Sequence, residues 1–317
     1  MRYIDKNIAN RALGNQVALD YLNAHCRDVN GHYGGIQYRS RGAVAQPDFF
    51  SCGIPTYYNR MVSILMREQG DRCCYCLRHL QERVLNCDET VTIEHIVPQG
   101  FDRSKNADFQ QYKDMAPNIR DNVELTDVYE SRPGVQTMPP FPHKVAYDNM
   151  VVSCNGSFPS GINGGGCCNL FRGQKRALPV YFMTNIAEQL DYQKNGDIFV
   201  PIGVAQSAEI EEVIINTNLA CDSLKDIRQV WYELSARKWD DIIQCDTEDK
   251  REKLLTDTFA SDLMIRNQSE ANRLIAKFRK QEYWHTLMSY DVFYTIMRDK
   301  YRPSLKKTLR ANKRVYS

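Results

Sequence analysis

Six of the eleven cysteines fall into two groups far apart in the chain, Cys73-Cys74-x-Cys76 in one and Cys154 with Cys167-Cys168 in the other. A Cys-x-x-Cys spacing lets two thiolates from one tight turn reach a single tetrahedral zinc at about 2.3 Å. The second group can complete a four-thiolate site from loops remote in sequence, with Cys74 and Cys167 competing as ligands. Such a staple would join the front of this stretch to its back. It would contribute folding free energy, because the unfolded chain has no preformed site. Four saturated thiolates leave no open position for water, so the expected role is structural. The plainer alternative is a set of buried apolar cysteines. Cys26, Cys52, Cys87, Cys221 and Cys245 read as ordinary core or surface residues.

Metal binding is favoured over disulfides by compartment. The N-terminal MRYIDKNIANR has no apolar stretch after its charges, and no run of eighteen apolar residues occurs, so neither export nor a membrane span is expected. The default is cytoplasmic, where thiols stay reduced. A charged fraction of 25% with 43% hydrophobic residues is ordinary for a globular chain of 317 residues. A net charge of +2 gives no general argument for nucleic-acid binding. One local patch does: Arg298 to Arg314 carries eight Lys or Arg against Asp299, a phosphate-contacting tail or a solvated, frayed terminus.

The pattern predicts an α+β, mainly α-helical chain in three regions. Residues 1–72 read as a helical lead-in, with a Gly- and Arg-rich loop that includes Arg39, then a helix from about Pro55 to a stop at Gly70. Residues 73–176 hold the cysteines, short strand-like runs and an insertion around 101–147. Residues 177–317 begin with a hairpin at Asn195-Gly196. They continue in helices, one over 224–234 with Ser223 and Asp226 as a capping box and another over roughly 270–300.

Between the cysteine groups lies VTIEHIVPQG, where Val91, Ile93 and Ile96 suggest a strand presenting Glu94 and His95 at its end. A carboxylate there can bind a hard cation such as Mg²⁺ or Mn²⁺, and a neutral imidazole can take a proton from an attacking water. Most Glu-His pairs at strand ends are merely hydrogen-bonded surface residues, so the pair needs context.

That context is YDNMVVSCNG followed by CCNLFRGQK. With the knuckle and Glu94-His95, it resembles the HNH, or ββα-metal, nuclease family, whose blocks occur here in the same order. The resemblance implies a zinc-stapled ββα-metal core between helical N- and C-terminal regions. Glu94 matches the first metal-ligand position and His95 the general base. Asn149 matches the central Asn that pins the loop carrying the base, and Asn169 matches a second ligand for Mg²⁺ or Mn²⁺. Cys73, Cys76, Cys154 and Cys168 match the structural zinc ligands, with Cys167 as alternative. Arg172 or Lys175 would neutralise charge on the phosphate.

Two features depart from the family pattern: thirteen residues rather than two separate Cys154 from Cys168, and Arg172 stands where Lys is common. A closer resemblance, on MRYIDK, LMREQGDRCCYC, TIEHIVPQG and TNLACDSLKDIRQ, is to the HNH nuclease subunit of Septu and retron-associated anti-phage defence systems. It implies DNA cleavage controlled by a partner ATPase. The competing readings are a non-catalytic zinc-ribbon adaptor and an HNH-type nuclease acting on RNA such as tRNA. A thioredoxin-like redox role for Cys73-x-x-Cys76 lacks its βαβ context.

Overall fold

The computed structural model describes residues 1–40, 47–81, 91–101, 106–129, 139–159, 166–173, 175–235, 237, 239–261 and 268–301, with the backbone alone at 106, 260 and 261. In chain order the first half holds α1 (Ile8–Tyr21), α2 (Tyr57–Gln69), β1 (Val91–His95), α3 (Asn106–Met115), α4 (Pro117–Asn122), β2 (Val123–Glu124), β3 (Phe141–Pro142), β4 (Met150–Cys154) and α5 (Cys168–Arg172). Then follow β5 (Asp191–Tyr192), β6 (Ile198–Phe199), α6 (Ser207–Asn216), α7 (Asp222–Leu234), α8 (Trp239–Ile243), α9 (Glu248–Ser261), α10 (Gln268–Phe278) and α11 (Gln281–Met288). The class is α+β, with many helices and few, short strands.

The longest strand pair is β1 against β4, antiparallel, with Val91 opposite Cys154, Glu94 opposite Val151 and His95 opposite Met150. Alternation along β1 puts Thr92 and Glu94 on one face and Ile93 and His95 on the other. The short helix α5 lies on the Thr92 and Glu94 face: Asn169 donates to the Thr92 hydroxyl at 3.0 Å, and Arg172, one turn on, pairs with Glu94. A second antiparallel pair, β5 with β6, closes around Asn195-Gly196 as the dipeptide predicts, and β2 pairs with β3 in parallel. Among its described residues, the expected insertion therefore carries two helices and a short strand pair of its own.

α2 delivers the chain into the cysteine knuckle. Its start lies past Pro55, at Thr56, whose hydroxyl accepts the Asn59 amide and satisfies a donor that proline could not. Gly70 ends it in the left-handed region at φ 58°. Just before that stop, Gln69 bonds both the amide and the carbonyl of Val152 at 2.8 Å, which locks the helix end to β4.

Two expectations for the C-terminal region need correction. Ser223 and Asp226 form no capping box; α7 starts from Cys221 without a side-chain cap, and Asp226 accepts from Arg273 and Lys277 at 2.6–2.8 Å. Two cations aimed at one buried carboxylate outcompete a single backbone N–H. The expected helix over 270–300 is broken into α10, α11 and a last helix over 292–301. The break at 289–291 has a cause: the Ser289 carbonyl accepts the His79 amide at 2.6 Å, Asp291 pairs with Arg72 at 2.9 Å, and the Tyr290 hydroxyl reaches the Cys76 sulfur at 3.6 Å. Those three residues serve the knuckle, which a continuous helix could not do.

Buried apolar side chains form one contiguous cluster from Met1 to Met297, drawing on all three regions. Among the described residues, no helix is long and apolar enough to cross a membrane. Most of the basic patch, from Arg302 on, lies outside the described residues. Of its described members, Arg298 pairs with Asp299, and Lys300 pairs with Asp191.

Candidate functional site

Among the described residues one group of thiols is suited to a metal ion. The sulfurs of Cys73, Cys76, Cys154 and Cys168 all lie within 4.8 Å of one another, fully buried, with Cys73 to Cys168 at 3.8 Å and Cys76 to Cys154 at 3.6 Å. A tetrahedral ion about 2.3 Å from each sulfur sets neighbouring sulfurs about 3.8 Å apart, close to both of these separations, so the four could hold a zinc ion. Cys74 and Cys167, the competing candidates, fall outside the set of four. Burial opposes ionisation of Cys73 and Cys76, but donation from neighbouring thiols outweighs it and draws both below the ordinary thiol value, while the hydrogen bond with Cys167 pushes Cys154 above it and burial pushes Cys168 above it. Thiolate character is what a metal ligand needs.

The long Cys154–Cys168 spacing is absorbed by a closed excursion. The Cys167 amide donates to the Gly156 carbonyl at 3.0 Å, so the chain leaves after Gly156 and returns beside it. Gly156 has φ 78°, and a Cβ there would sit 1.7 Å from the Cys167 carbonyl oxygen. Alanine at 156 should therefore cost at least the ~1–3 kcal/mol of a strained backbone, plus the clash. Urea denaturation of Gly156→Ala should register that loss, and a midpoint unchanged from wild type would contradict this account of the loop.

Glu94 and His95 close β1 at the end away from the Val91–Cys154 pair. Asn149, wholly buried, holds the turn that follows: its Oδ1 accepts the Val97 amide at 2.8 Å, its Nδ2 donates to the Val97 carbonyl at 3.0 Å and the His143 carbonyl at 2.7 Å, and its own carbonyl accepts the Ile96 amide at 3.0 Å. The His95 ring, 5% exposed, is gripped on two sides. Its Nε2 lies 3.0 Å from the Lys144 carbonyl, and Tyr38 packs edge-on at 4.5 Å. A carbonyl only accepts, so Nε2 carries the proton and Nδ1 keeps its lone pair, which meets the Gln99 amide at 3.2 Å. Burial pushes the imidazole down to about 4, against the Lys144 carbonyl and with help from His143. The ring is neutral at pH 7.

The structure gives Arg172 a different place from the expected one. Its side chain is 2% exposed, and its guanidinium is committed to Glu94 and to the carbonyls of His95 at 2.9 Å and Ile96 at 3.1 Å. It ties α5 to the strand end and is no free cation for a phosphate. Lys175 stands exposed with its ammonium 3.5 Å over the Phe171 ring, away from the lining of the site.

Glu94, His95, Asn169 and Arg172 do share one open cleft of about 660 Å³. Sequence reasoning missed its other walls: Gln37, Tyr38 and Arg39 from the loop before α2, Gln99 from the turn after His95, and Lys144. Only Gln99 had a usable signal, its position four residues after His95. The wall at 37–39 comes from far upstream and shows no periodicity. Comparison with protein-family models and with curated proteins finds no match for this chain.

Proposed function

We propose that this chain is a metal-dependent HNH endonuclease hydrolysing DNA phosphodiester bonds, the effector of an anti-phage defence system controlled by a partner ATPase. The observation that carries the reading is the tautomer of His95. A buried ring whose Nε2–H is spent on the Lys144 carbonyl keeps Nδ1 as its one basic atom, in a cleft shared with Glu94 and Asn169. The defence role and the ATPase rest on the resemblance of the quoted phrases alone.

In this reading the Gln99 amide releases Nδ1 of His95 when substrate enters, and Nδ1 takes a proton from the water that attacks the phosphorus, in line with the leaving 3′-oxygen. The Lys144 carbonyl, accepting from Nε2–H, steadies the imidazolium that results. Asn149 keeps the ring in place through the turn it pins. Glu94 and Asn169 fit a hard cation by donor type, because Asn169 uses its amide N–H on Thr92 and keeps Oδ1 for another partner. Mg²⁺ or Mn²⁺ held there would supply charge stabilisation for the phosphate oxygens. Glu94 is also shared with Arg172, which favours an exchangeable ion over a tightly held catalytic zinc. Zinc belongs to the four thiols, as a structural staple.

The test is digestion of plasmid, single-stranded DNA and tRNA by purified protein with Mg²⁺ or Mn²⁺, with and without the product of the neighbouring gene. Wild type should cut DNA, and His95→Ala should lose about 10²–10⁴-fold in rate while keeping its zinc and its cooperative fold. Cutting of tRNA alone would move the substrate to RNA. If wild type and His95→Ala never differ in any arm, the nuclease reading is wrong.

A further inference from the structure

Of the three cations lining the cleft, two are spoken for: Arg172 by Glu94, and Lys144 by Asp127 at 2.7 Å. Arg39 is the third. Among the described residues it makes no ion pair, and it is exposed. Its guanidinium lies 4.4 Å over the Phe50 ring, a cation–π contact that holds it without neutralising it.

The wall that carries Arg39 is rigid. Tyr21 donates its hydroxyl to the Gln37 carbonyl at 2.8 Å and accepts the Gln37 amide at 3.1 Å. The Phe49 and Phe50 amides donate to the Gln37 and Tyr38 carbonyls, each at 3.0 Å. Phe50 packs at 4.6 Å on Tyr58, whose hydroxyl donates to the Val91 carbonyl at the start of β1. Tyr38 packs on His95, and the following side chain, Arg39, turns to Phe50 instead. A guanidinium with no carboxylate partner among the described residues is thus held by Phe50 beside the reacting group but directed away from it, where bidentate capture of a second phosphate costs little side-chain entropy.

We propose that Arg39 binds a backbone phosphate flanking the scissile one, so that the cleft selects polynucleotides over isolated phosphodiesters. The assignment rests on the nuclease reading and adds a substrate-binding residue to it.

The experiment uses full-length protein carrying His95→Ala, which prevents cleavage, and a fluorescein-labelled DNA duplex titrated by anisotropy over a range of salt. Adding Arg39→Ala should weaken binding about tenfold at low salt and flatten the log–log salt dependence by about one phosphate contact. Arg39→Lys should keep most of the salt slope. In the cleaving background, Arg39→Ala should raise KM for an oligonucleotide more than it changes kcat. It should also reduce kcat/KM far more on the oligonucleotide than on bis(p-nitrophenyl) phosphate. If the parent binds DNA and Arg39→Ala matches it in affinity and slope, the assignment is overturned while the nuclease reading stands. If the parent binds neither the duplex nor tRNA, with or without the product of the neighbouring gene, both fall.

Discussion

Serine in place of Cys73, Cys76, Cys154 or Cys168 should abolish zinc binding and with it the cooperative fold of the protein. Wild type should carry one zinc per chain by elemental analysis, and each of the four variants none. The magnitude follows from linkage. Structural zinc contributes about 10–16 kcal/mol of apparent binding free energy in thiolate-rich peptides, whereas a whole domain is stable by only about 5–15 kcal/mol. Losing the ion removes a quantity as large as the net stability. The damage should also be wide, because the four sulfurs come from the knuckle after α2, the end of β4 and the start of α5, and Tyr290 packs on Cys76 from the C-terminal region. Cys167→Ser and Cys74→Ser serve as controls and should retain zinc. Zinc-free wild type that melts unchanged after treatment with a chelator would refute the staple.

Replacing Arg172 with methionine should destabilise the protein by about 3–5 kcal/mol, measured by urea unfolding. The side chain and its partner Glu94 are 2% and 4% exposed, so removing the cation leaves a buried carboxylate unpaired and two carbonyls without their donor. Pairing the change with Glu94→Gln should recover part of the loss, since the uncompensated charge is gone and only the carbonyl bonds are missing. A double variant no more stable than the single would mean that Arg172 acts by packing alone. Arg172→Met would also loosen the strand end that carries His95, so any cleavage activity should fall along with stability.

Much of the site was legible because it is written in local chemistry. The alternation Val91, Ile93 with Glu94 and His95 after it marks a strand and its last residues, and Asn195-Gly196 marks a hairpin. The Cys-x-x-Cys spacing marks a metal knuckle wherever it folds. Cys168 could not be told from Cys167 in the same way, since two adjacent thiols point in different directions only once the loop closes on Gly156. Ser223 and Asp226 looked like a cap because nothing near them in the chain reveals Arg273 and Lys277. The break at 289–291 was equally hidden, for its cause is the knuckle some two hundred residues earlier.

Arg172 and Arg39 exchanged places for a related reason. As residue types both are cations suited to phosphate, and position in the chain favoured the one nearer Cys168-Asn169. Folding buried Arg172 against Glu94 and carried Arg39 to the cleft on a wall anchored by Tyr21, Phe49 and Phe50. The amino-acid sequence was enough to single out the candidate thiols and the Glu-His pair by residue type and short spacing, and the two asparagines through the family resemblance. Which sulfur completes the cluster, which histidine nitrogen stays basic and which arginine pairs with Glu94 depended on the fold, because each turns on a partner contributed from elsewhere in the chain.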